Sequence, residues 1–128
     1  MPMPSAEPTV TIPIAMFFDD LETELAASRR LLERFPDEHA DWKPHAKSMS
    51  LAQLATHVAE LPQFGSAIAS RPEWNRGVDK YERVHARTRD ELLALHERSA
   101  DICRKALAAL DAEALEHEWR MHKDGVTF

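Results

Sequence analysis

The chain has 128 residues, 44% of them hydrophobic and 30% charged, which is the composition of one water-facing globular domain able to bury about two-thirds of its unfolded surface. Its net charge of −6 supplies no basic face for phosphates, so a nucleic-acid partner is not expected. The single cysteine, Cys103, excludes an internal disulfide and points to a reducing cytoplasm. No apolar run approaches membrane-spanning length, and the N-terminus lacks the charged and apolar regions of a secretory signal.

Residues 1–12 contain Pro2, Pro4 and Pro8 and read as a flexible arm, with one folded domain over residues 13–128. Ile14, Phe18, Leu21, Leu25, Ser28 and Leu32 recur at helical intervals, which predicts a first amphipathic helix that Pro36 stops. The connection from Pro36 to Met49 is long for a bundle and suggests a crossover. In it, Trp42 and Pro44 are expected to seal the bundle end, and His45 to pack within the loop. Ser50 followed by Gln53 has the capping-box spacing and opens a second helix. Leu51, Leu54, Val58 and Leu61 predict its buried stripe, and Pro62 should kink or end it.

His57 falls between Leu54 and Leu61 and is expected to point with them into the bundle. A lone histidine on an apolar face is more often a hydrogen-bonded core residue than a metal ligand. Ser70 to Gly77 reads as loop, and a short helix is suggested around Val78 to Val84. Thr88 and Glu91 form a second capping-box pattern ahead of a third helix with Leu92, Leu95, Ile102, Ala106 and Leu110 on one face. Cys103 beside that stripe reads as a small buried hydrophobe. Residues 111–119 suggest another short helix, and residues 120–128 give no clear signal.

Other metal patterns fail on spacing. His117 and His122 are five apart, which turns the second imidazole away from the first on a helix. Glu82 and His85 match one Glu-x-x-His unit of a di-iron bundle, but the chain has no second unit. Asp19, Asp20, Glu22 and Glu24 read as the solvated face of the first helix.

The order Trp42, Pro44, His45, Lys47, Ser48, Met49, Ser50, Leu51, Leu54, His57, Val58, Glu60, Leu61, Pro62 resembles the loop and second helix of the DinB/YfiT-like family of metal-dependent enzymes. The segments from Phe17 to Asp37 and from Arg89 to Asp111 fit the first and third helices of that family. The resemblance implies an all-α, DinB-like four-helix bundle, of which three main helices are present here. It implies that His57 is one of three histidine ligands for a divalent metal such as Zn, Ni or Fe. It further implies a hydrolase or thiol S-transferase whose small-molecule substrate could be a low-molecular-weight thiol. In relatives a fourth helix with His-x-x-x-His follows a segment like residues 119–128, and no such pair occurs in this chain. The expectation is therefore either a natural product longer than this sequence or a variant without that part of the site. The alternative function is a non-catalytic helical domain that dimerises through the surface such a helix would cover, with Leu92, Leu95 and Ile102 or the seam from Phe18 to Leu25 in the interface. On either reading this chain alone is expected to bind no catalytic metal tightly, since one inward histidine cannot make a three-ligand site.

Overall fold

A computed structural model describes residues 1–3, 13–79 and 83–128. Three helices dominate: α1 over Leu21–Leu32, α2 over Leu51–Ser70 and α3 over Arg89–Ala108. A small sheet comprises β1 (Glu73–Asn75), β2 (Arg120–Lys123) and β3 (Val126–Thr127), in that spatial order. Most of the expected arm lies outside the described residues, as does the centre of the suggested helix between Val78 and Val84. The described parts of that second segment, Val78–Asp79 and Arg83–Val84, are not helical.

The first helix forms in two steps. A 3-10 turn over Ile14–Phe18 follows Pro13, and the α-helical ladder starts only at Leu21. Leu25 and Leu32 are buried, as the apolar seam requires, while Glu22 and Glu24 face water. The connection to α2 folds back against α3. Phe35 and Ala40 are buried, and the Phe35 carbonyl accepts from Arg89 Nη2 at 3.0 Å. Phe35 and Ala40 therefore close this end of the bundle. Trp42, expected to do so, is 59% exposed, because the turn through His39–Trp42 aims its ring outward.

Ser50 and Gln53 form a complete capping box: Ser50 Oγ accepts from Gln53 N at 3.1 Å, and Gln53 Oε1 accepts from Ser50 N at 2.7 Å. Ser50→Ala should lower stability by about 1 kcal/mol, a fall of roughly 4 °C in thermal midpoint by circular dichroism. No change in midpoint would show that the cap contributes nothing here. At α3 only half of the expected box exists. Thr88 Oγ1 accepts from Glu91 N at 3.2 Å, but the Glu91 carboxylate accepts from Arg87 N instead of reaching back to Thr88.

The buried face of α2 differs from the expected one. Leu51 and Val58 of the expected stripe are half-buried and pack against the core, and Ala52, Thr56, Ala59 and Glu60 are buried, whereas Leu54 and Leu61 are 51% and 46% exposed. Small side chains let α3 approach α2 closely, and this helix pair is the main contact of the fold. At Gly65 the approach is tight enough that a Cβ would stand 3.2 Å from Cys103 Sγ. The leucines are thereby rotated away from α3. Helix α2 also continues through Pro62 to Ser70. The proline removes one backbone donor, but packing along the helix outweighs that loss.

On α3 the buried set is Leu92, Leu95, His96, Ser99, Ala100 and Cys103. Ile102, expected among them, is only partly buried. Leu92 and Leu95 lie in the core with Leu32, Phe35, Ala52 and Ala59, so they do not form an exposed dimer strip.

The sheet was not expected. Asp124 and Gly125 have φ of 52° and 79°, the left-handed pair that a two-residue hairpin between twisted strands demands. Asp-Gly is the sequence signal for such a turn, and it accounts for the structure of the tail. The parallel pairing of β1 with β2 places Trp74 beside Met121. Trp74 is buried and meets Phe64 edge-on at 5.4 Å, which docks the sheet on α2. In place of the suggested helix after Asp111, only a 3-10 turn forms over Ala114–Glu116.

Candidate functional site

His57 projects from the middle of α2 with its side chain 49% exposed. The expectation that it points into the bundle is therefore not met, for the same reason that Leu54 and Leu61 face outward. Position 57 lies on the helix face opposite Ala52 and Ala59, which α3 occupies. Glu60, one turn on, is buried, and its Oε1 lies 3.9 Å from His57 Nδ1.

His57 stands where two clefts meet. The first, of about 520 Å³, lies between the N-terminal half of α2 and residues 83–87, with Gln53, Thr56, Glu60, Arg83 and His85 in its walls. Thr56 Oγ1 donates to the Ala86 carbonyl at 3.2 Å, which pins that segment against the helix. The second cleft, of about 700 Å³, runs towards the sheet past Leu61, Phe64, Trp74, Arg76 and Asp79. Arg83 borders both. At the outer end of the first cleft Arg87 donates to Asp41 at 2.8 Å, and the guanidinium holds the Asp41 carboxyl below the usual carboxylate range. At the far end of the second, Asp79 accepts from Arg71 at 3.3 Å and from Asn75 N at 2.6 Å.

The remaining histidines are dispersed. His39 and His45 are exposed in the α1–α2 connection, where His45 Nδ1 accepts from Lys47 N at 3.1 Å. His117 lies 4.0 Å from Glu113, and His122 on β2 lies 3.3 Å from Glu73. Glu82, which with His85 makes the lone Glu-x-x-His match already set aside, lies outside the described residues. Among the described residues no three His, Cys, Asp or Glu side chains gather where one metal ion could be held.

His96 is a histidine whose environment the sequence pattern did not signal. It is 2% exposed in the core of α3, and neither nitrogen hydrogen-bonds to a described residue. Ser99 Oγ, one turn on, is equally buried and unpartnered among the described residues. Burial pushes the His96 pKa down, with Arg29 and Arg104 adding to the effect and Glu97 opposing it. The available clue was its offset of four from Leu92, which puts it on the same helical face. Cys103, two turns further, is buried as expected, and burial raises its thiol pKa so that it stays protonated.

No helix among the described residues is long and apolar enough to cross a membrane. No characterised protein and no solved structure gives a significant match to the chain. A family profile described as the DinB superfamily, however, matches residues 20–127, a span that runs from the start of α1 through the long α1–α2 connection, α2 with His57, α3 and the terminal strands. The helical order, the capped second helix and that match agree, and the chain belongs to the DinB superfamily.

Proposed function

We propose that this chain is a helical binding domain that pairs with a second copy of itself through the outer face of α2. The observation behind this reading is the spacing of Leu54, Leu61 and Ile68, all exposed and seven residues apart. His57 follows Leu54 by three residues, at the d-type position of a helix–helix seam, while Phe64 at the matching position after Leu61 is occupied by Trp74 of the sheet and borders the seam. Leu54 and Leu61 are left about half exposed on this face, and a two-fold pairing would cover them on both copies at once. Sedimentation at tens of micromolar protein should report a dimer, and Leu61→Glu should convert it to a monomer with an unchanged helical spectrum. A wild-type monomer under those conditions would end this reading.

The family resemblance supplies a second reading: a metal-dependent hydrolase or thiol S-transferase acting on a small molecule, with His57 as a ligand. In its favour, His57 stands at the junction of two clefts with a carboxylate one turn away. A catalytic centre of that type takes three protein donors and an open position. The described residues offer His57 and Glu60 and no three-donor group, so they do not fit a complete centre. Calorimetric titration of zinc and nickel separates the readings. Exchangeable, nonspecific binding agrees with the binding domain, whereas tight one-to-one binding lost in His57→Ala would replace it with the metalloenzyme.

A further inference from the structure

The second of the two clefts beside His57, of about 700 Å³, has the size of a small-molecule site. Leu61 and Phe64 of α2, Trp74 of β1 and Met121 of β2 give it an apolar wall. Trp74 is buried edge-on to Phe64 at 5.4 Å, whereas Phe64 and Met121 are only half-buried and keep surface in the cleft.

The same wall carries Arg76 from the turn after β1, Asp79, and Arg83 from the segment that leads to α3. Asp79 is already engaged, since it accepts from Asn75 N at 2.6 Å and from Arg71 at 3.3 Å. The two arginines have no such match. Among the described residues neither guanidinium makes an ion pair or a hydrogen bond, and Arg76 lies only over the Phe128 ring, at 6.0 Å. Its backbone is held to β2, where Arg76 N donates to the His122 carbonyl at 2.9 Å. Glu60, the carboxylate nearest His57, is buried and lines the other cleft. Two uncompensated cations therefore share one concave wall in a chain whose net charge is −6.

We propose that this cleft binds a small aromatic carboxylate, with its anionic end held by Arg76 and Arg83 and its ring against Phe64 and Met121. A guanidinium presents planar paired donors that match a carboxylate, which favours this anion over a neutral or cationic group. The aromatic and thioether wall rewards a flat apolar body, which a bare inorganic anion lacks. Both arginines are exposed, so the attraction is screened by salt and the ring must supply part of the affinity. The site needs no metal and no second copy, although Leu61 and His57 border both the cleft and the pairing face.

Calorimetric titration with 2-naphthoate tests the site, with 2-naphthylmethanol as the neutral counterpart of the same ring. The naphthoate should bind saturably and one-to-one, and the alcohol about ten-fold more weakly. Arg76→Gln and Arg83→Gln should each weaken the naphthoate about ten-fold, the loss of one charge-assisted contact, and leave the alcohol unaffected. Arg98→Gln removes an exposed cation from α3 and should change nothing. All three substitutions lie on the surface and should keep the wild-type helical spectrum. Inorganic phosphate, with charge but no ring, should not displace the naphthoate at equal concentration. Leu54→Gln, which weakens the pairing seam outside this cleft without adding charge, should bind as the wild type does, so failure of the pairing and failure of the site are read separately. The proposal is overturned by non-saturable binding, by equal affinity for acid and alcohol, or by wild-type affinity in either Arg76→Gln or Arg83→Gln. An equal loss in Arg98→Gln, displacement by phosphate, or loss of binding in Leu54→Gln would overturn it as well.

Discussion

Leu92→Ala is expected to destabilise the chain by about 2–5 kcal/mol, a large part of the roughly 5–15 kcal/mol that holds a domain of this size together. Leu92 is fully buried where α3 meets α2 and the α1–α2 connection, in one cluster with Leu32, Phe35, Ala52 and Ala59. Truncation removes the transfer free energy of the lost carbons and leaves a void. Its neighbours on α2 are alanines, which are too short to collapse into that void. Urea unfolding should show a lower midpoint with an unchanged slope. The informative control is Leu54→Ala, measured at concentrations where the chain is monomeric. Leu54 is half exposed, so its truncation should change stability by no more than about 0.5 kcal/mol. Equal losses for the two variants would mean that the Leu54 face is buried in the monomer, contrary to the packing described above.

His96→Leu should stabilise the chain by about 1–3 kcal/mol at neutral pH, and by more as the pH falls. The side chain is buried, and neither nitrogen has a partner among the described residues, so the leucine removes unmatched polar groups at little change in volume. The pH dependence follows from the depressed pKa of His96, caused first by burial and then by Arg29 of α1 and Arg104 of α3, against the opposing charge of Glu97. The unfolded imidazole takes up its proton near pH 6.5, whereas the folded one does so only at lower pH. Between those values the unfolded state binds more protons, so wild-type stability falls as pH drops below about 6.5 and is insensitive to His96 above it. His96→Leu should lack that component. Parallel stability curves for the two proteins from pH 7 to pH 5 would show that His96 takes up its proton over the same pH range in both states, contrary to the effect of its burial.

These two side chains also mark the boundary between what the sequence by itself determined and what only the tertiary structure decided. The existence and order of α1, α2 and α3 were legible, because helical periodicity and caps act within a few residues of each other. Ser50 with Gln53 formed the full box that its spacing implies. The membership in the DinB superfamily was legible in the stretch from Trp42 to Pro62. The hairpin at Asp124 and Gly125 was equally local, and its signal was present though unread.

Which face of α2 is buried was not local. Leu54, His57 and Leu61 lie on one side of that helix and Ala52 and Ala59 on the other, with Leu51 and Val58 between them against the core, and hydrophobicity alone favours burying the larger residues. Close packing reverses the choice, since Ala52, Ala59 and Gly65 allow α3 to approach more nearly than leucines would permit. That single rotation exposes Leu54 and Leu61, brings His57 to the junction of two clefts and sends Glu60 inwards beside it. The burial of His96 depends on the same contact, seen from α3. The pairing of β1 with β2 joins residues far apart in the chain, a contact that no local pattern encodes. Sequence periodicity specifies that a helix has two unlike faces; the shape of its neighbour decides which of them meets water.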